Sequence, residues 1–334
     1  MRRNIVCLDQ NAWIELSRIF YGDSKDESAR SLPSRLFDLA HQGSHIFPIS
    51  FERLHETQKD SNRERRIRLA RFMVDLSDGL TMGPAYKRTI PLECRNHLTM
   101  YHCLPRKLLD VGESIIGKGL AGIFGAEAAL VPSKPDAEPL PRELEKIILS
   151  HVNSNEFLFQ AISGENEELR RELLMVTKSI HDEAIIVMQE NLAKIPPRMD
   201  KQKRHDQALS KFFVDSILPI MAKEAMKVEI PLNGSIKKTP PAESPEQFLR
   251  RSVPSAYVSF ELGHARDKGR GGRVLENDFN DISFLSYAIP YAKIVVTERG
   301  WVQLARQLKL DRMYGSHLLP VSKIGRLTDL LSET

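Results

Sequence analysis

Asn4-Ile-Val-Cys-Leu-Asp9 is the stretch whose reading decides the fold. An unbroken run of Ile, Val, Cys and Leu fits a strand buried on both faces, as in a parallel sheet. A strand with one wet face would alternate instead. In an open parallel sheet, binding groups gather beyond the carboxyl ends of the strands, so Asp9 is also the first candidate site residue. Outward from it, Asn11 is placed to cap a helix on which Trp13, Leu16 and Phe20 recur at helical spacing. His45-Ile-Phe-Pro-Ile-Ser50 reads as a second strand, with Ser50 capping a helix that runs through Glu56. Residues 63–76 repeat the helical pattern, with Leu69, Phe72, Met73 and Leu76 on one face. Leu80 to Gly83 reads as a third short strand. The alternation of strand and helix predicts an α/β class, a central parallel sheet flanked by helices.

The pattern changes in the middle of the chain. Pro132 to Pro141 holds four prolines and reads as a linker, and 231–245 is a second breaker-rich stretch. Between them, 142–195 and 206–228 read as helix without a convincing strand. Residues 135–250 are therefore expected to form a helical insertion or cap. Residues 1–134 and 251–334 are the two parts of one α/β domain. In the second part, a helix near 255–265 leads to a basic loop, followed by a helix at 278–288 and strands at 293–297 and 317–321.

Bulk properties narrow the function classes. The chain has 334 residues, of which 41% are hydrophobic, enough for a real core. A net charge of only +4 excludes a polyelectrolyte binder, so any nucleic-acid surface must be a local patch. No apolar run approaches the roughly 18 residues needed to span a bilayer, so no membrane partner is expected. The first residues make a poor signal peptide, because the run they lead into carries an acid. The three cysteines, Cys7, Cys94 and Cys103, cannot build a disulfide framework, and the chain reads as cytoplasmic and reduced.

The acids supply the chemical signal. Phosphoryl chemistry with two metal ions needs several carboxylates around a small volume. Asp9 ends the first strand, and Glu56 follows the second by one to two helical turns. Asp278 and Asp281 flank the start of a late helix, and Glu298 ends the strand Ile294-Val-Val-Thr-Glu298. Singly, each reads more readily as a cap, a turn residue or a solvated helix face. The set is more specific, since every strand-end acid falls in the α/β part.

These motifs resemble those of the PIN-like nucleases. Cys7-Leu-Asp-Gln-Asn-Ala-Trp-Ile14 is similar to the family's opening strand, and Pro48-Ile-Ser-Phe-Glu-Arg-Leu-His-Glu-Thr57 to its second motif. There Glu56 is the candidate acid, with Glu52 as its rival. Asn277-Asp-Phe-Asn-Asp-Ile-Ser283 resembles the third motif, implicating Asp278 and Asp281. Val295-Val-Thr-Glu-Arg-Gly-Trp301 resembles the segment of a fourth acid, normally aspartate and here Glu298. The resemblance covers roughly 1–85 and 255–325. It implies a Rossmann-like PIN fold and an endonuclease hydrolysing phosphodiesters with metal-activated water. It also implies Mg²⁺ or Mn²⁺, which the all-oxygen donor set favours over zinc. RNA or another single-stranded nucleic acid is the expected substrate, RNA ahead of DNA. Asp9, Glu56, Asp278 or Asp281 would hold a first metal and Glu298 would help hold a second. Two other readings stand beside it: a catalytically inactive nucleic-acid-binding module on the same scaffold, and a toxin-like component regulated by a protein partner through the helical insertion.

Two basic segments are candidates for phosphate contact. One is the Arg63–Arg71 helix face, represented by Arg63 and Arg66. The other is the 263–273 loop, with Arg266, Lys268, Arg270 and Arg273 among four glycines. Rival chemistries find less support. Cys94, His97, His102 and Cys103 lack a second ligand pair at zinc spacing, and the two cysteines read as partly buried thiols. Gly117 to Gly125 lacks the P-loop order and reads as a flexible loop.

Overall fold

The computed structural model describes residues 3–24, 29–102, 110–125, 141–193, 201–228, 244–269 and 276–333. Seven strands are present among them: β1 (Asn4–Leu8), β2 (His45–Ile46), β3 (Ile49–Ser50), β4 (Leu80–Met82), β5 (Ile116–Lys118), β6 (Ile294–Thr297) and β7 (His317–Pro320). The first four helices are α1 (Gln10–Tyr21), α2 (Leu32–His41), α3 (Phe51–Lys59) and α4 (Arg63–Ser77).

A four-stranded parallel sheet of order β2-β1-β6-β7 lies at the centre, flanked by helices. Strand β1 shows why its sequence has no polar alternation. Ile5 and Cys7 enter one hydrophobic core, while Val6 and Leu8 enter the other. Strand β6 does the same, with Val295 on one face and Ile294 and Val296 on the other. The 45–50 stretch is extended, as expected, but it serves two ladders. His45 and Ile46 pair with β1, whereas Ile49 and Ser50 pair with β4, and β5 joins β4 antiparallel. Pro48 lies between the two pairings, and its missing N–H cannot continue a ladder.

Several local expectations need correction. Asp9, not Asn11, caps α1: its Oδ1 accepts from the Ala12 N–H at 2.8 Å. Trp13 and Leu16 are buried as the spacing requires, but Phe20 is 47% exposed and packs sideways on Phe37 and Phe72. Ser50 precedes α3 without making a side-chain cap hydrogen bond. The 117–125 stretch is ordered rather than a flexible loop. It contains the end of β5 and the helix Gly119–Ile123, and its glycines permit close backbone approach. At Gly119, φ is +62° and an added Cβ would lie 2.4 Å from the Asn153 Cα. Gly119→Ala is therefore expected to lower the stability by about 2 kcal/mol in urea unfolding. An unchanged midpoint would refute this close approach.

The described part of 141–252 consists of helices joined by short turns, with no strand among the described residues, as the sequence suggested. It does not stand apart from the sheet layers. Leu158, Phe159 and Ile162 join the core that holds Val6 and Leu8, while Leu209, Phe212 and Ile217 join the core of Ile5 and Cys7. The proline-rich stretch 132–140 and most of 231–245 lie outside the described residues. The helix Pro254–Gly269 runs further than expected, so Gly263 to Gly269 is helix rather than loop. Among the described residues, no helix is long and apolar enough to cross a membrane.

Two helices of this region meet through a titratable pair. His205 Nε2 lies 2.8 Å from Glu261 Oε1, and this hydrogen bond raises the His205 pKa above its usual 6.5. The protonated pair therefore stabilises the fold fully below about pH 6.5, and its contribution disappears as pH rises through the folded pKa. Glu261→Gln should cost roughly 1 kcal/mol at pH 6 and clearly less at pH 8.5, read by thermal melts. Equal losses at both pH values would count against the charged pair.

Candidate acidic centre

Because β1 and β6 are neighbouring parallel strands, the segments after them emerge at one edge of the central sheet, while α3 follows β3 of the three-stranded sheet. Asp9 follows β1, and its N–H donates to the Val296 carbonyl of β6 at 3.0 Å. The capping hydrogen bond to Ala12 then fixes the carboxylate at the mouth of α1, where it is 2% exposed. Glu52, Arg53 and Glu56 come from the first two turns of α3. Asp278 and Asp281 come from the helix Glu276–Tyr291, and Glu298 follows β6.

Glu52 anchors the two helices to each other. Its Oε1 accepts from the Ser283 hydroxyl at 2.5 Å and its Oε2 from the Tyr287 hydroxyl at 2.7 Å. Both carboxylate oxygens of Glu52 are thereby committed inside the core. Glu56 is the freer acid, with its side chain 22% exposed.

Asp9, Glu56 and Asp281 surround the buried Arg53. Arg53 Nη1 lies 2.7 Å from Glu56 Oε2. Burial works against the Arg53 charge, but Glu56, Asp9, Asp281 and Glu52 more than compensate and raise its pKa. Burial pushes the Asp9 carboxyl up to about 6, against the pull of Arg53 and the Ala12 N–H, with Asp281 adding to the rise. Burial likewise lifts Asp281 to about 7; Arg53 opposes this, while the Glu56 and Glu298 charges reinforce it. Glu56 is raised too, by burial first, with Arg53 opposing and Asp9 and Glu52 adding. For all three acids burial is the leading cause of the rise, and the Arg53 charge is the first influence against it.

The two acids of the late helix separate. Asp281 Oδ2 accepts from the Trp301 indole N–H at 2.7 Å and shares the field of Asp9 and Arg53. Asp278 Oδ1 instead accepts from Arg266, with Nη2 at 2.9 Å and Nε at 3.0 Å, and the Arg266 guanidinium stacks 4.8 Å from the Trp301 ring. Asp281, not Asp278, is the member that faces the centre. Glu298 is exposed at the margin, where its Oε1 accepts from Asn11 Nδ2 at 2.8 Å.

The basic candidates divide as well. Arg63 is exposed on the first turn of α4. Arg66 is 2% exposed and donates to the Asp60 and Ser163 carbonyls, with Glu167 nearby at 3.7 Å. That is a structural clamp, so the expected phosphate contact by Arg66 is corrected. Arg266 is engaged by Asp278, and Lys268 lies in the last turn of its helix. Arg270 and Arg273 lie outside the described residues. Cys94 is a fully buried free thiol, and His97 Nδ1 lies 3.0 Å from the Ser252 hydroxyl; Cys103 is outside the described residues.

The sequence reading missed Arg53 and Trp301. The only signal for Arg53 was its place one helical turn before Glu56, and Trp301 stood in the quoted fourth motif without an assigned role. Asp9 and Asp281, whose charges act on each other, offer only oxygen donors, a chemistry that suits a hard divalent cation. Among the described residues, however, no three His, Cys, Asp or Glu side chains stand as a ready metal-binding group. Glu56 is turned to Arg53. Comparisons of the chain with protein-family models, with curated proteins and with solved structures found no match.

Proposed function

We propose that the chain is a PIN-like nuclease that hydrolyses phosphodiesters of RNA or another single-stranded nucleic acid. The observation that carries this reading is the convergence of Asp9, Glu56 and Asp281 at the carboxyl edge of a parallel sheet, despite their distance in sequence. Asp9 and Asp281 would hold Mg²⁺ or Mn²⁺, with Glu56 and Glu298 completing the oxygen donors from the open side. The metal would supply an activated water and neutralise charge on the phosphate. Within the chain, Ala12 N–H and Trp301 orient the two principal carboxylates, and Glu52 locks α3 against the helix that carries Asp281. Arg63, exposed on α4, would contact the phosphate backbone of a bound strand.

The test is incubation of the purified protein with labelled RNA and DNA under Mg²⁺, under Mn²⁺ and with chelator. Cleavage of RNA with either metal and none with chelator is expected. Intact substrate under every metal would remove the nuclease reading. A second reading, a non-catalytic nucleic-acid-binding module, draws on the guanidinium within the acidic cluster. It predicts RNA binding that survives chelation, without turnover.

A further inference from the structure

The least expected feature of the centre is the cation it already contains. Arg53 is 1% exposed, yet its Nε and Nη2 have no hydrogen-bond partner among the described residues. A guanidinium carries five donors in a rigid fork, and burying them unsatisfied is costly. A permanent structural pair would use that fork on a carboxylate two donors at a time, as Arg95 does, placing Nε at 2.9 Å and Nη2 at 2.7 Å from Glu224 Oε2. Arg53 instead makes one close approach, to Glu56, and rests against the Phe284 ring 4.9 Å away. Beyond that contact, the charges of Asp9, Asp281 and Glu52 also act on the guanidinium.

We propose that Arg53 is a built-in counter-ion that a divalent metal must displace from the acidic centre. The identity of the incoming ion rests on the nuclease reading; the place of Arg53 does not. A guanidinium and a dication in one low-dielectric cluster repel each other, so each weakens the hold of the other by the same factor. Glu56 is the exchange point. It is the partner closest to Arg53 and is partly exposed, so it can pass from guanidinium to ion without opening the core. In the metal-free state Arg53 keeps the acids together; on loading, the freed guanidinium is available to an anionic ligand at the same edge. Metal affinity is then a competition written into α3, and the centre loads only where the free ion is plentiful.

The experiment compares Mn²⁺ titrations of the full chain and of Arg53→Met, followed by the resonance signal of free Mn²⁺ and by thermal melting. Methionine preserves the packing of the stem but not the charge. Arg53→Met should bind Mn²⁺ on the order of tenfold to a hundredfold tighter. It should also gain more melting temperature from the ion than the wild type gains. A merely structural arginine predicts equal or weaker binding, which overturns the proposal. Should Arg53→Met fail to fold, arginine-labelled wild type is examined by NMR. Mg²⁺ should speed solvent exchange of the Arg53 Nε–H, and an unchanged signal with the metal bound overturns the proposal. Binding by Arg53→Met alone supports the counter-ion and removes the nuclease reading. Equal binding by both chains removes the counter-ion and leaves the nuclease reading standing; binding by neither removes both.

Discussion

Asp9→Asn is expected to lower metal-dependent cleavage by about 10³-fold or more while leaving the fold intact. The substitution separates two tasks of one side chain. The Asp9 carboxylate caps α1 through Oδ1, and the amide oxygen of asparagine can accept the same Ala12 N–H. Helix α1 should therefore persist, unlike in Asp9→Ala, which also loses the cap at a cost of about 1 kcal/mol. What asparagine removes is the negative charge held among Arg53 and Asp281. Losing that charge relieves the burial penalty on Asp9 but weakens the compensation of Arg53, which still keeps Glu56, Asp281 and Glu52. Single-turnover cleavage of labelled RNA with Mn²⁺, beside circular dichroism of the same sample, reads both parts. Undiminished turnover by a folded Asp9→Asn protein would sink the catalytic role of the centre.

The second large effect lies away from that edge. Glu93 is buried on the helix Thr89–Tyr101; its Oε1 accepts from the Tyr291 hydroxyl at 2.6 Å and from the Ser255 N–H at 3.1 Å. Its Oε2 has no partner among the described residues. Burial pushes this carboxyl from 4.5 up to about 7, although both hydrogen bonds pull it down. An acid whose pKa is raised on folding holds its proton more tightly in the folded chain, so the fold loses stability as pH climbs from 4.5 to about 7. Glu93→Gln abolishes that loss. Relative to the wild type, it should gain about 3 kcal/mol between pH 4 and pH 8. Any constant cost of burying the new amide cancels in this difference. Urea midpoints at the two pH values measure it, and a gap that does not widen with pH would show that Glu93 is not buried as a proton holder.

How far the sequence could be read follows from the range of each interaction. Strands β1 and β6 were visible because a strand buried on both faces is apolar along its run, a demand local to four or five residues. Asp9 and Glu298 were visible for a related reason, since they punctuate the ends of such runs, and Glu56 through its place on the helix after the second strand. The choice between Asp278 and Asp281 was not. Both lie near the start of one helix, and only the positions of Arg266 and Trp301, supplied by other segments, assign the first to an ion pair and the second to the centre. Arg66 looked like its neighbours Arg63 and Arg65, yet it is turned toward carbonyls from Asp60 and Ser163. The glycines of 117–125 suggested slack, whereas several are there because another backbone passes too close for a side chain. Arg53 was silent because a charged residue on a short helix is ordinarily a solvated one.

The central sheet also carries a consequence for how the molecule is made. One edge of β1 is filled by His45 and Ile46, but the other waits for Ile294 to Val296. At ribosomal rates of 5–20 residues per second, that wait lasts on the order of 15–60 s. Throughout it, Val6 and Leu8 border an unpaired, apolar ladder edge of the kind that chaperones guard against aggregation. Asp9 meanwhile has neither β6 nor Asp281 beside it. A nascent chain of this topology cannot assemble its acidic centre until its last strands emerge.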